Sequence, residues 1–400
     1  MRTPSFHSTS TDVPRPCPAC GSERLTPFFE VTGVPGTTTL LIPTREEALS
    51  YPKGDIRLFF CEDCGFISNL LFDPRVTEYS ERYEGTQAFS PTFDAYHQEL
   101  ARGLIDRHQL YGRRALEVGC GQGEFLQLLC SIGDLEGIGF DPAVREEAFH
   151  REPGLRLRFV RDMYSEAYGD IDADLYCCKM TMEHIPDVAS FVGMLRRSIG
   201  DRSEAIVFVQ VPEVGHILRE RQFYDVMHEH CSYFTPVSLR QLFTTQGFEV
   251  IGTPIQFEGQ HLSLEARPGR PQRSEEPLEE LRELCMSFAE RCNERADRWV
   301  DVIGRALDAG QRVVMWGSGS KATAFLNARD IEGEIDGVVD INPNRWGMYQ
   351  ATCGQEIIPP DRLREHPPDL VIAVNPIYRE EIRRQLGEMG LTPELLTLSP

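Results

Sequence analysis

The sequence predicts an α/β protein with two nucleotide-binding-type domains and a smaller cysteine-rich module in front of them. Residues 115–125 and 313–323 each run from an apolar strand through a glycine loop into a helix. Two CxxC pairs precede the first of these segments. The chain has 400 residues. A domain with a single hydrophobic core has roughly 150 residues, so we expect more than one domain.

The composition is that of a globular protein, with 41% apolar and 26% charged residues. A formal net charge of −21 argues against a nucleic-acid partner, because phosphate backbones need a basic surface. An anionic small molecule needs only a local positive pocket. No apolar run reaches the about 20 residues of a membrane helix, and residues 1–14 carry no signal-peptide core. We therefore expect a cytoplasmic protein without a membrane or nucleic-acid partner.

Alternating strands and helices begin near residue 91. Apolar residues on one face predict a helix over 91–108. Strands are predicted at 115–118, 135–140, 157–160, 173–178 and 205–211, an order typical of a parallel sheet covered on both faces. After a Pro- and Gly-rich break at 267–277, apolar residues at three-to-four spacing predict a helix of about thirty residues. Further strands are predicted at 312–316, 335–339 and 370–374.

The cysteine pairs are Cys17/Cys20 and Cys61/Cys64, and a glycine follows each pair. A CxxC turn directs two thiolates at one centre, and four thiolates fill a structural zinc site. Short strands predicted at 38–42 and 56–60 would form the ribbon between the pairs. Two unrelated buried pairs are the alternative, and a redox CxxC is less favoured because neither pair opens a helix after a strand.

Polar residues surround the first glycine loop. Glu117 precedes the loop, where a carboxylate meets an ammonium group of a ligand. Asp141 ends the next strand, where it can accept hydrogen bonds from both hydroxyls of a ribose, and Asp162 follows the third strand, where it can receive an adenine amino group. The glycines that let the backbone turn sharply and approach a ligand are Gly119, Gly121 and Gly123.

This run resembles the E-x-G-x-G-x-G motif of class I S-adenosylmethionine methyltransferases, over residues 90–265. The resemblance implies their Rossmann-like fold, with S-adenosylmethionine as the methyl donor. An NAD site is the alternative, with Asp141 on a nicotinamide ribose. Glu117 and the GxGxG spacing favour the methyl donor.

Residues 223–235 carry the densest set of reactive side chains. The segment follows a strand, so we expect it over the carboxyl edge of the sheet, where such folds bind ligands. His230 has an ordinary pKa suited to proton abstraction near neutrality, and Glu229 can orient or charge-balance a base. A purely structural loop is one alternative. The other is a metal site formed by His216, His228, Glu229 and His230.

The whole chain resembles the nucleotide-sugar C-methyltransferases, which have a zinc ribbon, a methyltransferase domain and a C-terminal Rossmann-like domain in this order. Their loop reads Y-H-E-H-x-S-Y-F, and Met227 replaces the leading Tyr. The resemblance implies that His230 is the general base and Glu229 its acidic partner. Tyr224 is a candidate replacement for the lost phenol, and Tyr83 a candidate from the segment that reaches the sugar site. Gly259–Leu264 departs from the family's H-G-G-S-L.

The second glycine loop leads into Lys321, and a helix N-terminus with a lysine makes an anion site. In the family the corresponding loop contributes to the nucleotide end of the substrate, so Lys321 is the diphosphate candidate. Asp340 ends the next strand, in a segment that matches the family's V-D-x-x-P-x-K/R-x-G, and this match makes Arg345 a substrate-binding candidate. A fused NAD oxidoreductase is the competing interpretation, but no catalytic dyad accompanies the loop.

The predicted organisation is a disordered N-terminus (1–15), a zinc ribbon (16–75), a methyltransferase domain (76–267), a linker with a long helix (268–310) and a C-terminal Rossmann-like nucleotide-sugar-binding domain (311–400). The predicted function is methyl transfer from S-adenosylmethionine to a carbon of a nucleotide-activated keto-sugar, through an enolate. The alternatives are O- or N-methylation of another acceptor, and a protein that binds donor and nucleotide sugar without turnover.

Overall fold

The computed structural model describes Phe6 and residues 15–150, 154–272, 276–328 and 335–399, without the side chains of residues 149 and 150. The predicted disorder of residues 1–15 therefore falls mostly outside the described residues, as does part of the predicted linker (273–275). At Phe6 the prediction of disorder is wrong, because its ring is 1% exposed and stacks on Phe29 and Phe223.

The described residues form seventeen strands and ten α-helices, numbered along the chain. The strands are β1 (Leu25–Pro35), β2 (Lys53–Cys61), β3 (Ile67–Asn69), β4 (Arg114–Val118), β5 (Glu136–Phe140), β6 (Arg156–Val160), β7 (Leu175–Lys179), β8 (Ile206–Pro212), β9 (Ser232–Tyr233), β10 (Phe248–Gly252), β11 (Ile255–Gln256), β12 (His261–Pro268), β13 (Val313–Trp316), β14 (Val338–Val339), β15 (Ile357–Ile358), β16 (Leu370–Ala373) and β17 (Glu394–Thr397). The helices are α1 (Arg45–Leu49), α2 (Pro91–His108), α3 (Glu124–Gly133), α4 (Val188–Ile199), α5 (Val214–Arg219), α6 (Pro236–Thr245), α7 (Glu279–Asp308), α8 (Ser320–Asn327), α9 (Arg362–Glu365) and α10 (Arg379–Glu388).

The central sheet has the strand order β10-β12-β8-β7-β4-β5-β6, and β11 pairs with β12. The five strands from β8 to β6 are parallel, as predicted, and most of their apolar residues are buried. At the other edge, β12 runs antiparallel to β8 and to β10. β4 lies between β5 and β7, so the strand order reverses direction at β4. The glycine loop after β4 is therefore at the switch point of the sheet, where such sheets bind ligands.

The C-terminal sheet is parallel throughout, in the order β15-β14-β13-β16-β17. Helix α7 has 30 residues, the length predicted from its apolar spacing. Its buried face joins two domains in one core: Phe288 contacts the ring of Phe29 on β1, and Trp299 contacts Phe325 on α8. No helix among the described residues is long and apolar enough to cross a membrane.

The N-terminal sheet is antiparallel, in the order β1-β2-β3-β9. Its fourth strand, β9, comes from the histidine-containing loop more than 160 residues later in the chain. The predicted strand at 56–60 lies within β2. The strand predicted at 38–42 is wrong: this stretch makes one isolated bridge, between Leu40 and Tyr83, and otherwise irregular contacts.

Candidate active site

The first glycine loop is shaped by contacts that only glycine allows. Gly119 has φ +69° and Gly123 has φ +78°, a region that side chains rarely adopt. A Cβ at Gly119 would collide with Thr181, and one at Gly123 with Phe159. Asp141 fixes the loop from the next strand, since its carboxylate accepts from the Gly121 amide at 2.8 Å. Its second oxygen accepts from the Ala143 amide at 2.7 Å. Each oxygen keeps a further lone pair for a ligand hydroxyl.

Glu117 lies under this loop and is 2% exposed. Burial raises the pKa of Glu117 to about 8, and its Oε2 is buried without a hydrogen-bond partner. A buried acceptor without a partner is costly, and a bound ammonium would satisfy it. Asp162, by contrast, is exposed, and its carboxylate accepts from the Tyr168 hydroxyl at 2.6 Å. Its predicted adenine contact stays a prediction.

The histidine-containing loop is held by the N-terminal module. Ser232 and Tyr233 pair with β3, and the Asn69 amide donates to the Cys231 carbonyl at 2.9 Å. Glu229 is fully buried, and its Oε1 accepts from the amide and the hydroxyl of Thr38 at 2.9 and 2.5 Å. Burial raises the pKa of Glu229 to about 7, and Oε2 has no partner. The module therefore holds one oxygen of this carboxyl group and leaves the other available.

His230 lies beside His184, which is in the 3₁₀ turn Met182–His184 after β7. Its ring centroid is 4.8 Å from that of His184, in an edge-to-face arrangement. Burial, with a smaller contribution from the charge of Lys321, lowers the pKa of His230 to about 3, so the imidazole is neutral at pH 7. His184 Nδ1 lies 3.0 Å from the Tyr79 hydroxyl. The structure thus brings together a neutral imidazole, a second imidazole and a phenol.

The metal site left open by the sequence is not formed among the described residues. His228 Nε2 accepts from the Asp73 amide at 3.3 Å, whereas His216 Nε2 lies 3.3 Å from the Gln222 side chain. Neighbouring residues of the loop point to different sides, because the loop is not helical there. The group with donor atoms within 4.8 Å of one another is instead Glu183, His184 and His230.

Tyr224 is not a replacement for the lost phenol. Its ring is 1% exposed and packs against Phe223 and Phe325 in the core shared with α7. Its hydroxyl is 2.5 Å from Ser399 Oγ. The prediction is wrong because a 3₁₀ turn at Phe223–Asp225 directs the ring into this core. The phenol beside His184 is Tyr79, and Tyr83 lies next to it, with ring centroids 5.8 Å apart.

Lys321 lies at the start of α8, as predicted, and its Nζ forms an ion pair with Asp225 at 2.5 Å. Arg345 is buried, and its guanidinium donates to the main-chain carbonyls of Ser318 and Glu84. The structure therefore gives Arg345 a different role from the predicted substrate contact, because its donors already connect two loops. Glu84 also accepts from Arg145 at 2.8 Å, so this segment is held by both large domains.

The four predicted metal ligands converge. Cys17 and Cys64 have their sulfurs 3.7 Å apart, and Cys20 and Cys61 3.6 Å apart. All four sulfurs lie within 4.8 Å of one another. A tetrahedral centre with Zn–S bonds of about 2.3 Å needs sulfurs about 3.8 Å apart. With four thiols converging at this separation, the donor set fits a closed, soft-metal site.

Comparisons with known proteins agree with this geometry. A methyltransferase-domain model matches residues 92–253, and a model of the C-methyltransferase C-terminal domain matches residues 273–392. The ubiquinone biosynthesis O-methyltransferase of Methylococcus capsulatus is 36% identical over 170 residues, which cover 38% of this chain and 70% of that protein. The chain belongs to the S-adenosylmethionine-dependent methyltransferases.

This methyltransferase also resembles a protein of similar length. The C-methyltransferase NovU of Streptomyces niveus is 23% identical over 397 residues, 93% of this chain and 92% of that protein. Among solved structures, the Burkholderia thailandensis 1,6-didemethyltoxoflavin-N1-methyltransferase is 16% identical and covers 46% of this chain and 84% of its own, with a TM-score of 0.34. Residues 273–392 of the chain are thus similar to the C-terminal domain of C-methyltransferases.

Two features beside the candidate site were not predicted. Thr38, the partner of Glu229, is separated from it by 191 residues, and no local pattern signals such a contact. Lys179, at the end of β7, lies beside the first glycine loop. Its signal was available: a single lysine closes an otherwise apolar strand at the carboxyl edge of a parallel sheet.

Proposed function

We propose that this methyltransferase transfers a methyl group to a carbon atom of a nucleotide-activated keto-sugar, with His230 as the base. The observation that carries the proposal is that Lys321 of the C-terminal glycine loop reaches Asp225, five residues before His230. A loop that can bind an anion and the histidine-containing loop are therefore in direct contact, and the charge of Lys321 acts on His230. A substrate with a diphosphate at one end and an acidic C–H bond at the other would contact both loops.

The residues of the chain have distinct roles in this reaction. Bound S-adenosylmethionine supplies an electrophilic methyl group. His230, neutral at pH 7, would accept the proton from the carbon beside the ketone, and the resulting enolate carbon would take the methyl group as the methyl–sulfur bond breaks and S-adenosylhomocysteine leaves. We propose that Glu229, the residue before His230 in the chain, balances the charge of the imidazolium that forms. Tyr79 and His184 hydrogen-bond each other beside this position and orient the acceptor. Asp141 and Glu117 hold the donor.

The four cysteines are proposed to bind one structural Zn²⁺, supported by the match between their sulfur separations and tetrahedral geometry. The metal acts through folding, since the module that it closes supplies Thr38 to Glu229. Purified protein is expected to contain about one zinc per chain, and Cys61→Ser to lose both metal and thermal stability. Metal-free protein with the wild-type melting temperature and activity would contradict this assignment.

The base assignment is tested by hydrogen exchange without a methyl donor. A nucleotide-linked keto-sugar incubated in deuterated water with the enzyme is expected to exchange the proton beside the ketone. His230→Asn removes the proton acceptor, so it abolishes both exchange and methylation while S-adenosylhomocysteine still binds. The exposed Arg75→Gln serves as the matched control and exchanges normally. Wild-type exchange by His230→Asn would refute the assignment.

A second candidate, O-methylation, is favoured by the 36% identity to an O-methyltransferase. That match covers 38% of the chain and leaves the C-terminal glycine loop without a role. The two reactions differ in the product: an O-linked methyl group gives a different carbon-13 NMR shift from a C-linked one, and O-methylation requires no prior exchange.

A further inference from the structure

Glu183, His184 and His230 bring one carboxylate and two imidazoles together. One ligand atom of each residue lies within 4.8 Å of those of the other two. Zn–N and Zn–O bonds are about 2.0–2.2 Å long, so small side-chain rotations let all three groups reach one ion. Two histidines and one carboxylate are the ligand set of open transition-metal sites, which keep further positions for water or another molecule. The chemistry of the cluster therefore fits a divalent transition ion.

Hydrogen bonds to the main chain hold the turn after β7 against the histidine-containing loop. The Cys231 amide donates to the Glu183 carbonyl at 2.8 Å, and the Ser232 hydroxyl donates to the Ile185 carbonyl at 2.7 Å. The two segments that carry the three side chains are thus joined to each other without an ion. An incoming ion meets a preformed set of ligands and does not have to gather two separate loops.

A further hydrogen bond fixes which ring nitrogen of His184 carries the proton. Nδ1 lies 3.1 Å from the Glu229 carbonyl oxygen. A carbonyl oxygen only accepts, so Nδ1 carries the hydrogen and Nε2 carries the lone pair. The Tyr79 hydroxyl oxygen, 3.0 Å from the same nitrogen, can share that hydrogen. Metal-binding histidines commonly donate their other ring N–H to a carbonyl or carboxylate in this way, and His184 therefore has the tautomer of a metal ligand.

Glu183 gives an independent observation. It is 3% exposed, and its Oε2 is buried without a hydrogen-bond partner among the residues that the structure describes. The charge of Lys179 acts on this carboxyl group, but Lys179 does not donate to Oε2. A buried carboxylate oxygen without a donor is costly, and a cation bonded to it supplies the missing partner. The imidazoles of His184 and His230 are half-buried, so the cluster is not closed to an ion from solvent.

We propose that Glu183, His184 and His230 bind one divalent transition ion, such as Zn²⁺, at a metal site separate from that of the four cysteines. Mg²⁺ and Ca²⁺ are not expected there, because they prefer oxygen ligands throughout. The consequence for the reaction rests on the proposed function: an ion on His230 occupies the lone pair that would accept the proton. Metal binding and proton removal then exclude each other, and the site is inhibitory.

The test adds Co²⁺ to the full chain after it has been loaded with one equivalent of Zn²⁺, which the softer thiolates retain. One further Co²⁺ per chain is expected, with the weak visible absorption of nitrogen and oxygen ligands and without a sulfur-to-metal charge-transfer band. Glu183→Gln removes the anionic ligand and His230→Asn removes an imidazole, so each is expected to weaken Co²⁺ binding by at least about 10-fold. His366→Asn, at an exposed histidine, is the matched control and should bind Co²⁺ as the wild type does.

Deuterium exchange without a methyl donor gives a second readout. Co²⁺ at a saturating concentration is expected to suppress exchange of the keto-sugar by the wild-type enzyme, whereas the same concentration of Mg²⁺ leaves it unchanged. Absence of Co²⁺ beyond the cysteine site, or wild-type affinity in both Glu183→Gln and His230→Asn, would overturn the metal site. If Co²⁺ binds with the expected dependence on these ligands but exchange continues, the metal site stands and the assignment of His230 as the base is wrong.

Discussion

The two glycine loops share one architecture and differ in how many of their polar groups the protein itself occupies. In both, an aspartate at the end of the next strand accepts from a loop amide at 2.8 Å: Asp141 from Gly121 in the first loop and Asp340 from Ser318 in the second. Beyond this shared contact, the loops diverge.

The second loop is filled by internal partners. The Ser318 carbonyl accepts from Arg345 and Gln350, and Lys321 forms its ion pair with Asp225. At the first loop, Glu117 has an oxygen without a partner. A ligand therefore completes the first site directly, whereas an anion at the second must replace an internal carboxylate. Two glycine loops of similar architecture can therefore differ in their affinity for a ligand, because side chains of the protein already bind the polar groups of one of them.

The largest expected effect is at the open loop. Asp141→Ala removes the two charge-assisted hydrogen bonds that we propose Asp141 accepts from the ribose, each worth about 1.5–3 kcal/mol, so we expect S-adenosylhomocysteine to bind at least about 100-fold more weakly. Calorimetry measures this loss. Asp340→Ala is the matched control: it removes the equivalent contact at the other loop and should leave S-adenosylhomocysteine affinity unchanged. Similar losses in both variants would mean that the two loops are not independent.

An intermediate effect, of opposite sign in two variants, is expected at the occupied loop. Lys321→Met should weaken the binding of inorganic pyrophosphate by about 10- to 30-fold, since a charge-assisted contact is lost. Asp225→Asn removes the competing carboxylate and should strengthen that binding several-fold. Both are measured by calorimetry at fixed ionic strength, because salt screens such contacts. If Asp225→Asn weakens pyrophosphate binding as well, the ion pair is a structural contact and not a competitor.

The sequence predicts features that depend on neighbouring residues. Glycines 119, 121 and 123, the aspartate that ends β5 and the cysteine spacing are local patterns, and the structure brings each set together. The 30 residues of α7 followed from apolar periodicity alone. Each of these features depends on residues that are close together in the sequence, so each can be predicted without knowing the fold.

Contacts between distant segments could not be read in the same way. Thr38 holds Glu229 across 191 residues, and β9 joins a sheet whose other strands lie far earlier in the chain. Tyr224 was misassigned because a separation of three residues does not fix a direction in a turn. Arg345 matched a family pattern, but its burial beside two carbonyls is a property of the assembled domains.

The smallest expected effect is in the pH dependence, and it concerns the histidine-containing loop. Asp225 of that loop pairs with Lys321, and the Glu229 carbonyl lies 3.1 Å from His184 Nδ1. The pKa of Glu229 is raised to about 7, and that of His230 is lowered to about 3. Glu229 therefore changes charge between pH 6 and 8 while His230 stays neutral, and burial also raises the pKa values of Glu117 and Glu183 to about 8. Because ionised Glu229 stabilises the imidazolium, the rate of donor-independent deuterium exchange should rise with pH, by up to about tenfold over this range.

In Glu229→Gln, the exchange rate should be lower than in the wild type and should no longer depend on pH. If the rise persists in Glu229→Gln, another group titrates, and the charge-balancing role of Glu229 is wrong.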